Sequence, residues 1–136
     1  MIDNFNGSLN FVFVCILALG GIYYASRCLF SSKSFSDQYG FGDSSIFMTR
    51  FAGSCVAAST ILVIMVIVRG PTGAWEVFAF GVIQSAIATV SGFFTVNGPW
   101  AEVEGVKATA EGWIAPLGFL IVNLYLMFAL SGVLYM

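Results

Sequence analysis

Residues 77–96 read VFAFGVIQSAIATVSGFFTV, a stretch without a single Asp, Glu, Lys or Arg. At about 1.5 Å per residue, roughly 20 helical residues cross the ~30 Å hydrocarbon core of a bilayer, which matches this run. Leu9–Ala25, Phe51–Val68 and Trp113–Met136 are equally free of charge. The five basic and seven acidic residues of the chain fall almost wholly in the gaps between these runs. A soluble fold of 136 residues has too little polar surface to wrap four such helices, so the bilayer must be the solvent. The expected fold class is all-α: a polytopic membrane protein whose four transmembrane helices form an antiparallel bundle. It occupies residues 1–136 as a single domain, with spans at about 9–29, 46–68, 74–96 and 113–135.

The composition bounds the function. With 59% hydrophobic and 9% charged residues, the chain lies far outside soluble averages, and its length leaves no room for a separate soluble module. The net charge of -2 includes no basic stripe able to replace phosphate counterions, so nucleic acid is not an expected partner. There is no histidine. That excludes a His-ligated haem or metal within this chain, a Ser-His-Asp triad and a cysteine nucleophile activated by histidine. Cys15, Cys28 and Cys55 form an odd set without a CxxC, two of them inside apolar runs, and are read as small hydrophobic residues. The first run reads as a retained span, because Met1–Ser8 is acidic and no cleavage site leads into a polar segment.

Turn chemistry orders the spans. Arg69-Gly70-Pro71-Thr72-Gly73 cannot continue a helix, so spans two and three are expected to form an antiparallel hairpin, with Arg69 and Glu76 able to pair across it. The segment Phe30–Ser45 is rich in Ser, Gly and Asp and reads as an interfacial loop carrying Phe35, Tyr39 and Phe41. Within Pro99–Glu111, Trp100, Val103 and Val106 recur every three residues. They point to a short amphipathic helix on the membrane surface between spans three and four, with an irregular polar loop as the alternative. Arg27, Lys33, Arg50 and Lys107 lie on the side of loops one and three. The positive-inside rule then leaves both termini on the non-cytoplasmic side of a multi-pass protein.

Small residues mark faces where helices approach closely. Gly81, Ser85, Ala88 and Gly92 share one face of span three at steps of four, three and four, and Gly118 and Gly132 suggest a looser counterpart on span four. These six are the expected helix-packing residues. Arg50, one turn into span two, either snorkels to the headgroups or turns inward to pair with Glu111 or Asp43. Gln84 and Asn123 are the mid-membrane polar residues. They serve as hydrogen-bonding glue or, with Ser54, Ser59, Thr60, Ser85, Thr89 and Tyr125, line a narrow polar cavity.

Arg50, Gln84 and Asn123 are therefore the candidate ligand contacts. No acid sits mid-span, so no proton relay can be built, and no catalytic residue is assigned. Two functions follow as expectations. One is a non-catalytic accessory subunit or assembly factor of a larger membrane complex, with lipid, other membrane subunits or further copies of itself as partners. The other is a small homo-oligomeric binder or transporter of an apolar or amphipathic molecule such as a lipid, quinone or pigment. Gln84, Asn123 and Glu76 carry oxygens able to ligate a pigment's magnesium.

Overall fold

The computed structural model describes residues 2–136. The fold is all-helical, with four helices long and apolar enough to cross a membrane. They are α1 (Ser8–Phe30), α3 (Ile46–Arg69), α4 (Trp75–Val96) and α5 (Glu111–Ala129); two shorter helices are α2 (Ser32–Tyr39) and α6 (Ser131–Leu134). Each span stops where its sequence removes the means to continue. Helix α3 ends at Gly70, whose φ of 92° is open to glycine, and Pro71 follows without an N–H to donate. Arg69 closes α3 and Glu76 opens α4, as the helix dipoles favour. They nevertheless form no ion pair: the ion pairs among the described residues are those of Lys33 with Asp37 and Asp43.

The bundle is built from two pairs. Helix α1 packs along α3, and α4 along α5. Both pairs are antiparallel: advancing along α1 from Gly21 to Cys28 means retreating along α3 from Thr60 to Gly53, and Gly81 and Gly92 of α4 likewise oppose Asn123 and Gly112 of α5. The pairs meet on an α1–α5 seam made by large side chains. The Phe13 and Tyr125 rings stand 5.1 Å apart, and Phe119 reaches across to Gly20.

The hairpin expected of spans two and three is present in direction but not in packing. Helices α3 and α4 run antiparallel from their tight turn, yet each packs on its own partner rather than on the other. The glycines that admit a close neighbour are used on the other partners: Gly53 faces Cys28 of α1, and Gly81 and Gly92 face α5.

Span four is shorter than its charge-free run. Its regular helix ends at Ala129, and a separate turn covers Ser131–Leu134. Ser131 and Gly132 are weak helix formers, and the Gly73 N–H donates to the Val133 carbonyl at 3.4 Å, tying this turn to the α3–α4 connection. The bend turns Leu130 and Leu134 inward onto Phe5, Val14, Val66, Phe78 and Leu126, all buried. The packed core thus sits at the end of the bundle that holds both termini.

The opposite end is organised by two connections that sequence patterning assigned the other way round. The first loop contains a helix, α2, because Ser36 and Tyr39 are buried against the bundle: Ser36 Oγ lies 3.4 Å from Thr49 Oγ1 and accepts from Ser45 Oγ at 2.9 Å. The amphipathic helix expected in Pro99–Glu111 does not form. A single 3-10 turn spans Pro99–Glu102, and Gly105, at φ 88°, ends any helical course. Residues 103–110 instead reach across to loop one, where the Lys107 N–H donates to the Tyr39 carbonyl at 2.9 Å. The two loops touch so closely that a Cβ on Gly40 would collide with the Gly105 carbonyl.

Candidate functional site

Because α3 and α4 diverge over the α1–α5 seam, the bundle is hollow on the side away from its core. A cavity of ≈ 370 Å³ lies between the two pairs, within the range of small-molecule pockets. Its floor is Leu17, Gly21 and Tyr24 of α1 with Ala115, Phe119 and Asn123 of α5. Val56, Ser59 and Val63 of α3 form one wall, and Phe80, Gln84, Ser85 and Ala88 of α4 form the other. Tyr39, Phe41 and Trp100 cover the loop end, the Tyr39 and Phe41 rings stacking at 5.6 Å and Trp100 lying 5.6 Å from Phe41.

The hydroxyls of the walls add less polarity than their number suggests. Ser59 and Thr60 both donate to the Val56 carbonyl, at 2.9 and 2.7 Å, within their own helix. Asn123 is buried, its Nδ2 donating to the Phe119 carbonyl at 2.8 Å and its Oδ1 lying against Gly81. Gln84 differs. Half-buried on the cavity wall, its amide makes no side-chain hydrogen bond to any described residue. A polar group there can meet a ligand's carbonyl or hydroxyl without first breaking a protein bond.

At the loop end the chemistry is charged. Glu111, in the first turn of α5, takes one phenol on each carboxylate oxygen: Tyr24 of α1 donates to Oε1 at 2.7 Å and Tyr39 of α2 to Oε2 at 2.6 Å. Bonds to an ionised acceptor are the strong class, so this clamp joins three helices. Burial, and then the neighbouring carboxylate, hold the Tyr39 phenol above its ordinary value, which keeps it a donor. Arg27 flanks the clamp, donating to Tyr23 Oη at 3.2 Å and to Gln38, with its guanidinium 5.0 Å from the Phe35 ring centre. Lys107 and Thr109 complete the rim.

Of the candidate contacts, Gln84 and Asn123 line this cavity and Arg50 does not. Neither partner offered for an inward Arg50 is free: Glu111 is held by the two tyrosines and Asp43 by Lys33 at 2.6 Å. Arg50 is exposed, and its Nε donates to Ser32 Oγ at 3.1 Å, the posture of a side chain reaching for the interface. Ser59, Thr60 and Ser85 line the cavity, whereas Ser54, Thr89 and Tyr125 do not; Tyr125 donates to Asn10 Oδ1 at 3.0 Å, tying α5 to α1. Glu76 is exposed and outside the cavity, so it cannot share a ligand there with Gln84 and Asn123.

The small-residue face of α4 divides. Gly81 and Gly92 lie against α5, where a Cβ on Gly92 would strike the Gly112 carbonyl, while Ser85 and Ala88 front the cavity. Gly118 and Gly132 pack against no other described residue of this chain. Both are exposed, with nothing within 4 Å of an added Cβ, because Phe119 and Asn123, not Gly118, form the inner face of α5. From the sequence Glu111 was read only as a partner for Arg50, Tyr39 only as an interfacial aromatic, and Tyr24 not at all; the available signal was one acid opening a span.

No protein-family model, curated protein or solved structure matches this chain. Site geometry alone therefore carries the functional argument.

Proposed function

We propose that this protein binds, and carries or presents, one apolar or amphipathic small molecule held between its two helix pairs. The observation supporting this is the ≈ 370 Å³ cavity, apolar along its walls, with the unpartnered Gln84 amide midway and charged groups at one end. That polarity gradient is what a molecule with an apolar body and a polar head needs. The accessory-subunit reading draws instead on the absence of a catalytic constellation, and it makes no use of the hollow. Lipid is the surrounding partner for outward-facing Phe47, Phe94 and Phe128.

Extraction in a mild detergent followed by native mass spectrometry tests the proposal. The expected result is a small particle carrying one defined small molecule per chain, or taking one up from added lipid extract. An empty chain under both conditions overturns it, and a large particle rich in other subunits returns the accessory reading.

The orientation proposed is the one the basic residues favour, with α2 and the loop ends inside and the 70–74 turn outside. Thr72 and Ser34 are exposed at opposite ends, and Thr72 avoids the left-handed φ of 70° at Gly73. In intact cells, Thr72→Cys in a background lacking the native cysteines should react with an impermeant thiol reagent, and Ser34→Cys should not. The reverse pattern inverts the topology.

A further inference from the structure

We infer that the occupant of this cavity is a single-chain amphiphile with an anionic head, drawn sideways out of the bilayer between α3 and α4, its chain over the α1–α5 seam and its head at Lys107. This rests on the cavity being a binding site, as proposed above. The route follows from which walls are closed. Toward the termini the hollow ends on the buried core of Phe5, Val66, Phe78 and Leu126. Toward the loops it ends under Tyr39, Phe41 and Trp100, with the Gly40–Gly105 backbone contact and the Glu111 clamp behind them. The remaining side faces lipid. Ala52 and Leu62 of α3 and Phe80 of α4 line the cavity and are themselves exposed, Leu62 at 41% and Phe80 at 48%. A molecule already dissolved in the hydrocarbon core meets no polar barrier there.

The head follows from the charges at the rim. Lys107 and Glu111 are the charged residues lining the cavity. Glu111 keeps its charge but has both oxygens engaged by phenols, whereas the exposed Lys107 side chain has neither an ion pair nor a hydrogen bond to any described residue and is free to swing toward a head at the rim. The exposed Thr109 hydroxyl, two residues on, lines the same rim. A lysine on a flexible stem beside a free hydroxyl complements an oxyanion, carboxylate or phosphate, at headgroup depth.

The test uses the whole protein, delipidated in neutral detergent, and four amphiphiles of one chain length bearing carboxylate, phosphate monoester, hydroxyl or trimethylammonium heads. Either anionic head should bind about tenfold more tightly than the hydroxyl head. The carboxylate-to-phosphate ratio then identifies the source as fatty-acid-like or phospholipid-like. Lys107→Gln should abolish the preference while retaining binding, since the Lys107 backbone N–H still holds Tyr39. Equal binding of anionic and hydroxyl heads, or a preference that survives Lys107→Gln, overturns the head assignment and leaves the binding function standing. Failure of all four to bind sinks the binding function itself. For the route, Ala52→Trp should slow uptake from vesicles severalfold; an uptake rate equal to the parent's would rule out entry between α3 and α4.

Discussion

Glu111→Ala should lower the stability of the folded protein by about 3 kcal/mol, read as a fall in thermal midpoint in detergent. The substitution leaves two phenols, on α1 and α2, without their acceptor. Hydrogen bonds to a charged group contribute about 1.5–3 kcal/mol each, offset here because Tyr24 and Glu111 are only half-buried. Glu111→Gln keeps one good acceptor oxygen and should lose roughly half as much. A structural clamp also predicts coupling: Tyr24→Phe and Glu111→Gln combined should cost less than the sum of the two by about 1 kcal/mol. Strict additivity would mean that the phenol and the carboxylate do not depend on each other, and the clamp would be dismissed.

The clamp also marks where sequence reasoning ran out. The four spans were readable because charge is nearly intolerable in hydrocarbon, so twelve charged residues, all outside the four apolar runs, outline the helices. Which helices pair was not readable. A tight turn between spans two and three implies direction, and packing need not follow direction. Gly53 faces Cys28 and Gly92 faces Gly112, contacts that depend on helix rotation more than on connectivity. Gly118 shows the same limit, since a glycine within an apolar run looks alike whether it faces a neighbour or lipid. In the loops, composition misled in both directions. Serine-rich Ser32–Tyr39 became helical because burying Tyr39 and bonding Ser36 outweigh weak propensity. Residues 103–110 lost their three-residue periodicity because their backbone is drawn out to Tyr39. Gln84 and Asn123 were legible as polar residues that must find company. A narrow polar cavity between them was legible as one alternative; its width and mostly apolar lining were not, since they depend on the divergence of α3 from α4.

That divergence separates two positions that share one face of α4. Gly92→Leu should be the most damaging single change in the bundle. Even its Cβ meets the Gly112 carbonyl, a backbone atom at the start of α5 that cannot rotate away. Pro116 lacks the N–H that would otherwise bind this carbonyl within the helix, so the oxygen is left facing α4. Overpacking typically costs about 1–3 kcal/mol, and contact with backbone places this case at the upper end or beyond. Ser85→Leu, two turns earlier on the same face, adds its carbons at a buried residue of the cavity wall. There they gain apolar contact at the expense of ligand volume, so stability should stay within about 1 kcal/mol of the parent. The small-molecule complex, however, should be lost from the native mass spectrum. The two variants therefore dissociate folding from binding. Should Ser85→Leu unfold the protein as readily as Gly92→Leu, the space between the pairs closes in the membrane and the cavity is not a site; should Gly92→Leu be harmless, α4 and α5 are not held face to face.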